Sequence, residues 1–175
     1  MYLDILNIIE EELVLTQQAG LPDIVPTLTT TNRIFIAGAG RSKLVASMFA
    51  MRLMHCGYAV HIVGDVTTPR IIKDDVFLVV SSSGSTSQLI DFVVKAKTAG
   101  SKTILITSRE KSILKSLCDI TLLIGREPRE VNNILPLGGR FELSALIYLE
   151  SLIIEIMKNN NLSDEILHRL HANLE

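Results

Sequence analysis

Ser81-Ser82-Ser83-Gly84-Ser85-Thr86 sets five hydroxyl side chains around one glycine in six consecutive residues. Hydroxyls donate hydrogen bonds without adding charge, and glycine lets a ligand come close to the backbone. The six follow an apolar run, Val76 to Val80. They precede a helical pattern from Gln88 to Ala99 with Leu89, Val93 and Ala96 on one side. An unbroken apolar run of this length reads as a strand buried on both faces. The serines therefore fall where a parallel strand hands over to a helix N-terminus, and there the free N–H groups and the helix dipole favour an anion. The pattern predicts a phosphate cradle; the alternative is a serine-rich loop with an N-cap.

A second candidate, Gly38-Ala39-Gly40-Arg41-Ser42, follows the short apolar strand Arg33 to Ala37. It fails the dinucleotide fingerprint, because the third glycine would fall at Lys43, and no Walker pattern is present. No cofactor is expected. Arg41, beside the glycine turn, either contacts an anion or is solvated. Glu142 opens an apolar helix from Phe141 to about Lys158. A carboxylate entering apolar surroundings suits a general base, but a first-turn acid also complements the helix dipole. His55 ends a helix spanning about Lys43 to His55, where it either moves protons or complements the dipole. His61 alternates on a strand and reads as structural. His168 and His171 lie three apart without a third ligand, so no metal is expected.

These residues need a frame. Apolar spacing gives a first helix over Met1 to about Ala19 and a second from Pro22 to Thr30. Strands follow at Arg33–Ala37, Tyr58–Val63, Val76–Val80, Lys102–Thr107 and Asp119–Ile124, with helices between most of them. The expected fold is α/β: a three-layer α/β/α sandwich on a five-stranded parallel sheet, flavodoxin-like. It forms one domain over residues 1–175, with N-terminal helices in 1–31 and a C-terminal helix and tail in 159–175. Ligands of such sheets bind at the carboxyl ends of strands, near a switch in strand order. If the first and third strands are neighbours, the Gly38 turn and the Ser81 loop share one crevice. Gly125 to Arg140, long and irregular, is a candidate functional loop.

Composition narrows the classes. The 175 residues are 47% hydrophobic and 21% charged, with a mean hydropathy of +0.35. No stretch of 18 uncharged apolar residues occurs, so no membrane partner is expected. The apolar surplus points to subunit contacts instead. Without a secretory signal, the expected location is cytoplasmic. A net charge of −2 and no basic block argue against nucleic acid. Two cysteines, Cys56 and Cys118, cannot build a disulfide framework or a zinc cage.

Together these stretches resemble the sugar isomerase (SIS) domain family, in particular its branch acting on hexulose 6-phosphates in the ribulose monophosphate pathway. The resemblance is carried by Gly38 to Ser42, Met51 to His55, Pro69, Ser81 to Thr86, Leu135 to Gly138, Phe141-Glu142 and the closing His171 to Glu175. It implies a phosphorylated sugar whose carbonyl moves between C3 and C2 through a cis-enediol, with no metal or redox cofactor. Ser42, Ser81, Ser83 and Thr86 match phosphate-holding positions, and Gly40, Ser82 and Ser85 complete the expected binding set. Arg41 matches a position near the sugar, Glu142 the proton-shuttling carboxylate and His55 an assisting histidine. The resemblance also implies a homotetramer, with some sites completed by a neighbouring subunit. Departures occur where Ser82 replaces glycine, Ser85 replaces glutamate and Gly139 replaces threonine, which bears on the exact substrate. The alternatives are an isomerase for another ketose or aldose phosphate and a non-catalytic phosphosugar sensor. Such regulators usually carry a fused DNA-binding domain, for which the acidic first 30 residues leave no room.

Overall fold

The apolar runs become the strands of one sheet. The computed structural model describes residues 1–16, 21–125 and 134–174. Strands β1 (Arg33–Gly38), β2 (Ala59–Ile62), β3 (Val76–Val80), β4 (Lys102–Thr107) and β5 (Ile120–Leu123) pair in parallel, in the order β2-β1-β3-β4-β5. Every residue of β3 is buried, as a central strand covered on both faces requires.

Alternate side chains serve opposite layers. Ile34, Ile36, Leu78, Val80, Ile104 and Ile106 pack with α2 (Leu21–Thr30), α3 (Gly40–His55) and α6 (Gly139–Asn159). Phe35, Ala37, Phe77, Val79 and Leu105 pack with α4 (Ser87–Thr98) and α5 (Ile113–Leu117). The three-layer sandwich follows from this period of two.

The chain runs from β1 to β2 on one side, then returns to β3 on the other side of β1. The switch in direction therefore lies between β1 and β3. Gly38 stands opposite Val80 in the register, so the two carboxyl ends finish level. The turn after β1 and the loop after β3 share one crevice, as the sequence suggested.

Two helix starts differ from the sequence reading, and both differences matter. Helix α3 begins at Gly40 rather than Lys43, with Ala39 extended before it, so Arg41 and Ser42 lie in its first turn. Helix α6 begins at Gly139, after Gly138 in the left-handed region at φ 88°. The first helix, α1 (Tyr2–Val14), is shorter than expected. It is tied to the site-bearing end of α6, where Arg140 pairs with Glu12 at 3.2 Å; just past α1, Thr16 Oγ1 accepts from Gly125 N, beyond the end of β5, at 3.2 Å. The last helix, α7 (Asp164–Arg169), is capped by Ser163, whose hydroxyl accepts from the Ile166 N–H. Much of the candidate functional loop, 126–133, lies outside the described residues. Among the described residues no helix is long and apolar enough to cross a membrane.

Candidate active site

The serine loop is shaped by its own hydroxyls and by β4. Ser81 N donates to Ile106 O at 2.9 Å, carrying the sheet pairing one residue past β3. Gly84 N donates to Ser81 Oγ at 3.2 Å and closes the turn. Gly84 sits at φ 61°, and a Cβ there would run into the Ser112 side chain. From β4, Thr107 Oγ1 and Ser108 Oγ both donate to Ser82 O, at 3.0 and 3.1 Å. Thr107 Oγ1 also accepts from Arg109 N at 3.2 Å. A half-buried carbonyl held by two hydroxyls fixes the loop's height above the sheet.

Gly38 explains how α3 reaches the same crevice. A Cβ at this position would lie 2.9 Å from Ser42 O and 2.8 Å from Lys43 Cα. Only a residue without a side chain lets the first turn of α3 rest on the end of β1.

Between these walls is a cavity of about 380 Å³. Ser42, Ser81, Ser82, Ser83 and Thr86 line it with hydroxyls. Thr86 is the N-cap of α4 in extended conformation, and its side chain makes no capping bond. Glu142 enters from the first turn of α6 and is 8% exposed. Its carboxylate accepts a hydrogen bond from Arg41 Nε. A volume of this order suits a small ligand, and neutral donors around a helix N-terminus suit an anionic one.

Most of the expected residues meet here. Ser42, Ser81, Ser82, Ser83, Thr86 and Glu142 line the cavity, and Arg41 joins it through Glu142. Gly40, exposed at φ 55°, starts the helix turn that carries Ser42. Ser85 is exposed and outside the lining; its N–H donates to Ser83 Oγ at 3.4 Å. His55 does not enter this cavity. It lies thirteen residues along α3 from Ser42, about 20 Å at 1.5 Å per residue. It is 3% exposed there, and its ring stacks on that of His171, centroids 4.9 Å apart and planes at 18°. His61 lies against Phe35, and His168 is 3.6 Å from Asp164.

Sequence reading missed the contribution of β4. Thr107 ends β4, Ser108 and Arg109 follow it as Ser81 to Ser83 follow β3, and Arg109 lines the cavity. The signal was a second polar cluster at a carboxyl end, hidden because nothing in the chain order says that β4 lies beside β3. Leu137 and Gly138 also reach the lining, from the end of the loop before α6.

A parallel sheet with a hydroxyl-lined crevice at its switch point, and a buried carboxylate beside it, places the chain among α/β proteins with a ligand crevice at the strands' carboxyl ends. The family model of the SIS domain matches residues 27–138, and the chain belongs to that family. It is 41% identical over 155 residues to the 3-hexulose-6-phosphate isomerase of Methylomonas aminofaciens, covering 87% of this chain and 86% of that protein. It is 35% identical to the enzyme of that name from Bacillus subtilis, covering 85% and 83%. Among solved structures, a Methanococcus jannaschii protein inferred to be a 3-hexulose-6-phosphate isomerase superposes with a TM-score of 0.89. That match has 31% identity and covers 98% of this chain and 99% of the other.

Proposed function

We propose that this chain is a phosphosugar isomerase that interconverts 3-hexulose 6-phosphate and fructose 6-phosphate through a cis-enediol. The observation that carries this reading is that the serine loop and Glu142 line one cavity. The relatives bearing the name 3-hexulose-6-phosphate isomerase support the same substrate.

The phosphate takes no part in the bond changes. The hydroxyls of Ser42, Ser81, Ser83 and Thr86, with the N–H groups opening α4, hold it. That binding energy fixes the carbon chain against Glu142. Glu142 removes the proton on C3 of fructose 6-phosphate, leaving an enediolate across C2 and C3. Arg41 donates to the oxygen that gains charge. A proton then passes from the C3 hydroxyl to the C2 oxygen, Glu142 returns its proton to C2, and the carbonyl stands at C3. No redox cofactor enters, because the two carbons exchange oxidation level within one molecule.

In this reading the whole chain is one SIS domain working in the cytoplasm, within the ribulose monophosphate pathway, as a homotetramer. The apolar stripe on α3 supports assembly: Leu44, Met48 and Met51 are exposed at helical spacing, with Arg41 before them and His55 after them. Two such stripes paired antiparallel about Met48 bring His55 of one copy toward Arg41 of the other. That gives His55 a place in a neighbour's site.

Incubation with fructose 6-phosphate in deuterated water tests the reading. Deuterium at C3 is the expected result. Exchange at C1 would assign ordinary aldose–ketose chemistry, and binding with no exchange would make the chain a sensor.

A further inference from the structure

The hydroxyl cradle contains a charge that none of its serines supplies. Among the described residues lining the cavity, Arg109 is the one cation and Glu142 the one carboxylate. A phosphate monoester carries close to two negative charges at neutral pH. It would enter a space where the Glu142 carboxylate is already paired with Arg41, so that the donors lining the phosphate end, Arg109 apart, are neutral hydroxyls. Neutral hydrogen bonds orient such a group, whereas a guanidinium both orients it and offsets its charge.

The position of Arg109 is fixed by the backbone. Strand β3 lies between β1 and β4. The serine loop therefore has the first turn of α3 on one flank and the residues after β4 on the other. Arg109 N donates to Thr107 Oγ1 at 3.2 Å, and that same hydroxyl donates to Ser82 O at 3.0 Å. One fully buried threonine thus locks the arginine's backbone to the loop that would hold the phosphate.

We infer that Arg109 is a specificity-determining residue: its guanidinium grips the phosphate from the β4 side and sets the preference for phosphorylated over unphosphorylated sugars. The inference rests on the phosphosugar reading of this cavity and adds the residue that supplies positive charge to it. A contact of this kind acts on binding more than on the proton transfer, because the phosphate is remote from C2 and C3.

The test compares wild-type protein with Arg109→Gln and Arg109→Lys. It measures kcat and KM for fructose 6-phosphate, competitive inhibition by inorganic phosphate, and inhibition by free fructose. Arg109→Gln should raise KM about 10- to 100-fold and weaken phosphate inhibition by a similar factor, the range for losing one charge-assisted hydrogen bond. Its kcat should stay within about threefold, free-fructose inhibition should not change, and Arg109→Lys should fall between the two. Unchanged KM and phosphate inhibition in Arg109→Gln would overturn the assignment. So would a fall in kcat alone, which would put Arg109 at the reacting carbons. A wild-type protein that neither turns over fructose 6-phosphate nor is inhibited by phosphate would overturn the phosphosugar reading and this inference with it.

Discussion

Arg41, in the first turn of α3, donates its Nε–H to Oε2 of Glu142, in the first turn of α6. The two side chains differ sharply in exposure, 64% for the arginine and 11% for the carboxylate. The buried partner is held in place by the packing of α6; the exposed one is free to follow a ligand. Because Arg41 is mostly in water, the pair contributes little to stability, of the order of ~0–1 kcal/mol. On the proposed reading its value is orientation: it aims one carboxylate oxygen and keeps a cation where charge would develop on an enediolate.

Glu142→Gln keeps the size and the hydrogen-bonding capacity of the side chain but removes the base. Turnover of fructose 6-phosphate should fall by about 10²–10⁴-fold, the usual contribution of a positioned base. Affinity for phosphate should stay within a few fold, since the serine loop is untouched. Steady-state kinetics and a phosphate titration by calorimetry check this; retained turnover would take Glu142 out of the role.

In the cradle, Ser81 and Ser83 should separate structure from binding. Ser81 is 4% exposed and its hydroxyl accepts from Gly84 N, so Ser81→Ala leaves that donor without its partner inside the turn. The expected cost is about 1–3 kcal/mol of stability, together with a raised KM. Ser83 is exposed at the mouth of the cavity, so Ser83→Ala should raise KM roughly threefold to tenfold with an unchanged melting temperature. Melts and kinetics on the two variants decide it; equal effects of both would mean that the loop acts only as a scaffold.

The strand–loop–helix handovers were legible because each is local. Val76 to Val80 announces a buried strand, the hydroxyls that follow announce its carboxyl end, and the helical spacing after them points the helix N-terminus at the same spot. Glu142 was legible only in part: a lone acid opening an apolar helix fits a first-turn acid as well as a base, and its place in the serine-lined cavity needed the fold. Arg109 was not, because its relevance depends on β4 lying next to β3, a non-local fact. The reading of His55 beside Glu142 also needed three dimensions. Residues 55 and 142 lie in helices that pack on one face of the sheet, but α3 carries His55 to the far end of the domain.

Assembly through the α3 stripe is tested at its midpoint. Met48 is 49% exposed, so Met48→Glu should leave the fold intact while placing like charges across a two-fold contact. Light scattering should report a smaller species than the wild type, with kcat lowered about tenfold or more through loss of the neighbour's His55. An unaltered mass with full activity would move the interface elsewhere and leave His55 without a catalytic part.

Asp119 supplies a pH test of the frame rather than of the site. Burial pushes its carboxyl up, but Lys97 Nζ at 2.7 Å, Thr103 N at 2.8 Å and Thr103 Oγ1 at 2.7 Å outweigh that and hold it at about 2. The folded value is below the ordinary 3.8. Its contribution is therefore present above pH 4, and it is lost as pH falls from about 4 toward about 2. Lys97 is half in water and adds little, so the bonds from Thr103 dominate; Asp119→Asn should cost about 1–2 kcal/mol at pH 7, roughly 2–8 °C in melting temperature. The gap between variant and wild type should hold from pH 7 to pH 5 and narrow at pH 3, because Asp119 of the unfolded chain, at its ordinary 3.8, is by then mostly protonated and the unfolded state gains stability that the folded one does not. Thermal melts at the three pH values measure this directly, and a gap of constant size down to pH 3 would show that the carboxylate's charge plays no part in pinning β5 to β4.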